Sequence, residues 1–146
     1  MPSPDCLFCQ IARNQVPAAR VLETEAVVAF LDHRPLFPGH CLVIPREHVD
    51  TLGDLPRPLT GPLFDAAAAV ARALETGLGA DGSFVAINNR VSQSVPHLHV
   101  HVVPRRRGDG LRGFFWPRGR YESPGAMEET RARIAGALAG ALDAGA

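Results

Sequence analysis

The chain carries no surplus of charge of either sign: 15 Lys and Arg against 15 Asp and Glu give a formal net charge of zero over 146 residues. Without a global field to gather polyanions, a role as a non-specific binder of nucleic acid or of anionic membrane is disfavoured. No apolar run approaches the ~20 residues that cross a bilayer. Cysteine is scarce, and an odd count of three does not make a disulfide framework. Internal repeats and low-complexity linkers are missing. The start, Met1-Pro2-Ser3-Pro4-Asp5, has neither the basic end nor the apolar stretch of a signal peptide, so the expected location is the cytoplasm, with reduced thiols. What is present is ordinary for a soluble globular protein: 46% hydrophobic and 21% charged residues. The length predicts one domain over residues 1–146, large enough to bury its own core.

Leu7 to Asn14 reads as a short helix that ends before Pro17. Residues 20–31 read as two strands about a turn at Glu23-Thr24-Glu25, and Cys41 to Ile44 as a short apolar strand stopped by Pro45. A long helix follows, with Thr60 as its N-cap, Pro62 in its first turn and Leu63, Ala67, Val70, Leu74 and Leu78 along one stripe. Ser83 to Ile87 is the next strand. A last helix over about 124–143 starts at Ser123-Pro124 and aligns Met127, the stem of Arg131, Ile134, Leu138 and Leu142. Strands, a helix, two strands and a helix favour an α+β fold with an antiparallel sheet.

The densest signal is Gln93-Ser94-Val95-Pro96-His97-Leu98-His99-Val100-His101-Val102, with three of the six histidines at alternate positions. A strand has a side-chain period of two, so the imidazoles share one face while Leu98, Val100 and Val102 anchor the other. The three cannot bind one metal ion. At a rise of ~3.3 Å per residue, the α-carbons of His97 and His101 are about 13 Å apart on a strand. Tetrahedral zinc holds nitrogen at only about 2.0–2.1 Å. The row must therefore divide its labour.

Cys6-Leu7-Phe8-Cys9 is a second chemical signal. A redox pair would need a thioredoxin-like βαβ setting, which this chain lacks. A zinc site needs two more ligands, for which His48 and one histidine of the row are the candidates. Cys41, in an apolar strand, reads as a small core residue. His33 and His40 read as surface or turn residues, His40 with a role in fixing a loop. Arg105-Arg106-Arg107 with Phe114-Phe115-Trp116 resembles a single-strand-binding surface. At zero net charge the favoured reading is a solvated loop followed by packed aromatics. A weaker one has the arginines meeting a leaving polyphosphate or a second nucleoside.

The alternating histidines, with Gln93-Ser94 upstream, resemble the histidine-triad (HIT) family of nucleotidyl hydrolases and transferases. Phe30-Leu31-Asp32, Pro38-Gly39-His40 and Leu42-Val43-Ile44-Pro45 with His48 extend the resemblance over about residues 5–118. It implies a five-stranded antiparallel sheet with two main helices, joined to a second sheet in a homodimer. It implies attack on a nucleotide α-phosphate by His99, with His101 at the phosphate or bridging oxygen and His97 structural. In zinc-bearing members the matching ligands are Cys6, Cys9, His48 and His97, the zinc being structural. Asp32 would take the ribose hydroxyls, and Leu7, Phe8, Phe30, Leu31 and Leu42 would line the base pocket, for a purine by expectation. Asn88 and Asn89 are candidates for ribose or phosphate contacts. The Gln93 amide and the Ser94 hydroxyl would donate to phosphate oxygens. The chain departs from the family at Ser92, where glycine is usual, and in a short 88–92 loop. The implied substrate is a dinucleoside polyphosphate, a nucleoside phosphoramidate or an adenylated compound. The alternatives are a nucleotide-sensing or scaffold module with little turnover, and a hydrolase whose zinc is catalytic.

Overall fold

The computed structural model describes residues 4–112 and 117–142. A first compact unit runs to Asp109 and a second begins at Gly110. The first unit contains α1 (Leu7–Ala12), β1 (Arg20–Glu23), β2 (Val27–Leu31), β3 (Cys41–Pro45), a 3-10 turn (Leu52–Asp54), α2 (Arg57–Leu78), β4 (Gly82–Ala86) and β5 (Val100–Arg105). The strands form one sheet in the order β1-β2-β3-β5-β4, every pair antiparallel. This is the five-stranded sheet expected.

Strands β2 and β3 read as unbroken apolar runs because both faces of the sheet are covered. Val27, Ala29, Cys41 and Val43 face α2, packing with Leu63, Ala66, Ala67, Val70 and Leu74. Their neighbours Val28, Phe30, Leu42 and Ile44 point the other way, toward Phe8, Cys9, Ile11 and Ala12 of α1. Leu98, Val100 and Val102 belong to the α2 side. The period of two therefore puts the histidines between them on the α1 side.

Three expectations need correction. Helix α2 begins at Arg57, so Thr60 lies inside it and caps nothing. Pro58 is tolerated in the first turn because the leading N–H groups have no intrahelical acceptor. Pro62 falls further in, where it supplies no N–H to the Pro58 carbonyl. Ladder pairing of β5 starts only at Val100, so of the three histidines His101 alone is in the strand. His97 lies in a bend and His99 in the unpaired stretch just before the strand, and Leu98 N–H is held by the Val49 carbonyl at 2.7 Å. Pro45 does not stop β3 early; it is the last paired residue, opposite Val27.

The second unit holds α3 (Pro124–Leu138), which starts as expected: the Ser123 side chain accepts the Ala126 N–H at 3.0 Å and Pro124 fills the first position. Met127, Ile134 and Leu138 are exposed along it. The aromatics Phe114 to Trp116 and the expected helix end at residue 143 lie outside the described residues.

Candidate active site and metal centre

Cys6 caps the start of α1, its Sγ accepting the Cys9 N–H at 3.4 Å. One helical turn thus places both thiols on the same side, facing His97. Cys6 Sγ and Cys9 Sγ each lie 3.5 Å from His97 Nδ1, and Cys9 Sγ lies 3.2 Å from His48 Nδ1. The four ligand atoms all lie within 4.8 Å of one another. A tetrahedral ion with bonds of about 2.3 Å to sulfur and 2.05 Å to nitrogen has sulfur–nitrogen edges of about 3.5 Å. The donor set therefore has the size and chemistry of a structural zinc site. Both outer nitrogens are also taken: His97 Nε2–H donates to the Pro45 carbonyl at 2.9 Å, and His48 Nε2–H donates to the Asp50 carboxylate at 2.9 Å. Such partners fix the tautomer that turns Nδ1 inward.

Two residues further along, His99 is 3% exposed and stacks edge-on against Phe8, centroids 5.1 Å apart. Its Nδ1–H donates to the His97 carbonyl at 2.7 Å. Its Nε2 is consequently the lone-pair nitrogen in the neutral ring. Burial lowers the His99 pKa from its ordinary value, against the pull of the His97 carbonyl. The ring is thus neutral at pH 7.

His101 has the opposite polarity, and the reason is a residue expected to be a turn histidine. His40 is 3% exposed. Its Nδ1 accepts the Leu36 N–H at 3.1 Å, so its own proton is on Nε2, 2.9 Å from His101 Nδ1. His40 Nε2–H therefore donates to His101 Nδ1, and His101 keeps its proton on Nε2. Burial and then the neighbouring His99 and His40 push His101 down to about 4, so it too is neutral. His40 also fixes its loop, as expected, through Leu36. Gly39 makes this return possible: it has φ +103°, and a Cβ there would lie 2.5 Å from Leu78 Cδ1. Asp32, His40 and His101 bring donor atoms within metal-binding range of one another. The tautomer argues against an ion there, because His40 Nε2 is a donor while Nδ1 accepts. The only sequence hint of His40 was its place after Pro38-Gly39.

His99 and His101 line a cleft of about 600 Å³, within the usual range for small-ligand sites. Leu7, Phe8, Phe30, Leu31, Leu42, Asp32 and Ser94 line it as well, as do the unanticipated Ile11, Val16, Pro17 and Val95. Asp32 Oδ1 accepts the Arg34 N–H at 2.9 Å. Gln93, Asn88 and Asn89 are not among the lining residues. The Gln93 amide is occupied elsewhere, donating to the Asp50 carbonyl at 2.6 Å and accepting the Arg90 N–H at 2.8 Å. Asn89 Oδ1 accepts the Leu52 N–H at 2.8 Å. Both side chains brace the 88–94 loop against the segment that carries His48. Ser92 adopts φ +60°, a left-handed conformation that glycine would take more readily. Of the basic run, Arg105 pairs with Asp109, and Arg106 donates to the carbonyls of Leu78 and Gly79 at the end of α2. A second groove of about 550 Å³ between β1 and α2 has no titratable group but the Cys41 thiol, and is not a site for this chemistry.

A buried histidine whose Nε2 carries the lone pair, a neighbour whose Nε2 carries a proton and an apolar cleft thus lie together. The chain belongs to the HIT family, whose domain it matches over residues 13–108. It is similar to a solved structure from Streptococcus mutans UA159, at 34% identity and TM-score 0.84, covering 93% of this chain and 87% of that one. A zinc-bound histidine triad family protein from Mycobacterium smegmatis matches at 39% identity and TM-score 0.70, covering 91% of this chain and 97% of that one. An adenosine 5′-monophosphoramidase of Saccharomyces cerevisiae is 34% identical over 103 residues, 69% of this chain and 63% of its own length. No helix among the described residues is long and apolar enough to cross a membrane.

Proposed function

We propose that the protein is a nucleotide hydrolase or nucleotidyl transferase that works through a covalent nucleotidyl-histidine. The observation that carries this reading is the His99 Nδ1–H donated to the His97 carbonyl at 2.7 Å, which leaves Nε2 as the attacking atom beside the cleft. His99 Nε2 forms a bond to the α-phosphorus, and the leaving group departs with the electron pair of the broken bond, taking a proton from solvent. Water then cleaves the phosphorus–nitrogen bond and restores the neutral ring. His101 Nε2–H and the Ser94 hydroxyl donate to the oxygens that gain charge. Asp32 takes the ribose hydroxyls, and the apolar wall of Phe8, Phe30, Leu31 and Leu42 takes a purine base. The phosphoramidase relative supports a nucleotide with an amide-type leaving group.

Cys6, Cys9, His48 and His97 hold a structural zinc ion, a reading supported by the zinc-bound relative and by the spacing of the donors. Four protein ligands leave no open position, so zinc supplies cohesion and no water activation. Protein purified without chelators is expected to contain about one zinc per chain; none would remove the four-ligand site. Two copies join their sheets into a dimer in the cytoplasm, which light scattering tests for its first half.

The decisive experiment is His99→Asn assayed on adenosine 5′-phosphoramidate and on diadenosine polyphosphates. Hydrolysis should fall about 10³-fold or more, as when a nucleophile is removed. A variant as fast as wild type ends the nucleophile assignment. Nucleotide binding without turnover in the wild type would favour the sensor reading instead.

A further inference from the structure

A nucleophilic ring needs a fixed place as well as a fixed tautomer. The His99 Nδ1–H bond goes to the His97 carbonyl, two residues back on the same segment. It decides which nitrogen is free and restrains the ring against its own segment, not against the rest of the fold. The backbone there is anchored by Leu98 N–H on the Val49 carbonyl and by strand pairing from Val100 onward. Neither tie reaches the imidazole, whose terminal torsion is otherwise soft. The His101 ring, with its centroid 4.9 Å from that of His99, belongs to the same stretch of chain.

Phe8 supplies a contact from a different element. Its ring meets that of His99 edge-on, centroids 5.1 Å apart at an interplanar angle of 85°, a geometry that aromatic pairs prefer. Phe8 is itself well held. It is 5% exposed and packs at 5.5 Å on Phe30 and at 5.9 Å on His97, both edge-on. It lies between Cys6 and Cys9 at the start of α1, and both thiols meet His97 Nδ1 at 3.5 Å. The turn that carries Phe8 is thus fastened to the residue whose carbonyl holds His99.

Resting on the hydrolase reading above, we propose that Phe8 is a positioning residue for His99: its ring holds the imidazole so that Nε2 faces the cleft, a role separate from its place in the apolar wall. The two roles part in kinetics. A wall residue binds substrate and transition state alike, so its loss raises KM and leaves kcat. A residue that holds the nucleophile acts on the chemical step, so its loss lowers kcat.

The test compares Phe8→Leu, Phe8→Met and Phe8→Tyr in the full zinc-loaded chain, each checked for its fold by circular dichroism. Methionine fills irregular space with an unbranched side chain, so a ring-free variant remains if the leucine one fails to fold. On adenosine 5′-phosphoramidate the ring-free variants should lose about tenfold or more in kcat, within the ~10²-fold scale of a 1 Å misplacement, with KM rising by a smaller factor. Phe8→Tyr, which keeps the ring, should recover most of kcat. Nitrogen-15 NMR gives a readout without substrate. In the wild type His99 should show one tautomer, protonated at Nδ1; in the ring-free variants it should show a mixture, as the ring leaves the His97 carbonyl. A rise in KM at unchanged kcat, a Phe8→Tyr variant no faster than the ring-free ones, or an unchanged His99 tautomer overturns the inference. A wild type that hydrolyses no nucleotide probe counts against the hydrolase reading itself, and the NMR comparison still decides whether Phe8 positions His99.

Discussion

His99 and His101 have the same chemistry in the sequence and opposite tautomers in the structure. The difference is which nitrogen carries the proton, and hydrogen bonds decide it: the His97 carbonyl for His99, His40 for His101. Replacing His40 with Phe should free His101 to change tautomer and lower kcat about tenfold or more with a smaller effect on KM. Nitrogen-15 NMR of the ring reads the tautomer directly; an unchanged His101 signal would sink the assignment. The same residue predicts acid lability. His101 is held near 4 against an ordinary value of ~6.5, so between these the unfolded chain binds more protons. Its contribution to stability is complete above ~6.5 and is lost as pH falls toward about 4. His40, also lowered by burial, acts in the same direction. Thermal melts should show Tm falling over that window, and less steeply in His101→Gln. Ser92 gives a prediction of the opposite sign. Its left-handed φ costs about 1–2 kcal/mol in a non-glycine residue, part of which glycine returns as unfolded-state entropy. Ser92→Gly should raise stability by about 0.5–1 kcal/mol in urea titration.

At the scale of elements, α1 is tied down at both ends. Its start brings Cys6 and Cys9 to His48 and His97. Its last carbonyls are taken by an arginine at the start of β1 and one just past β3: Arg20 donates to Ile11 and Arg46 to Ala12, the latter at 2.7 Å. Arg46 donates as well to the Thr24 carbonyl at 2.8 Å, so it links the helix to the β1–β2 turn. Chelation should therefore loosen the first turn of α1 and the His48 segment while leaving β2, β3 and β5 protected. Hydrogen exchange distinguishes this from global unfolding; equal loss of protection everywhere would contradict it. Arg46→Ala should cost about 1.5–3 kcal/mol, the range for hydrogen bonds from a charged donor. The short α1 was legible from its Cys-x-x-Cys spacing and its apolar residues. These arginine ties were not, because the partners lie 9 and 34 residues apart with no local pattern to join them.

At the largest scale, the sheet is the organising plane of the first unit, with hydrophobic packing of α2 on one face and the histidine cluster with α1 on the other. Leu63, fully buried between α2 and the sheet, should cost about 2–5 kcal/mol on truncation to Ala. Because that face is remote from the histidines, kcat should hold under conditions where the variant stays folded. A collapse of kcat at unchanged fold would show the two faces to be coupled. The sheet leaves β1 and β4 as edges, through which a joined dimer would have to form.

The sequence by itself determined the alternation of histidines with apolar residues, the four metal-type ligands and the order of strands and helices. Each of these depends on local spacing, which a periodicity of two or a turn of helix translates directly into a shared face. Tertiary structure alone decided that His40 bonds to His101, that Gln93 and Asn89 brace a loop instead of lining the cleft, and that Arg106 closes α2. Those roles depend on which backbone carbonyl or ring nitrogen lies within about 3 Å once the chain has folded. Contacts between residues tens of positions apart leave no mark in the local pattern.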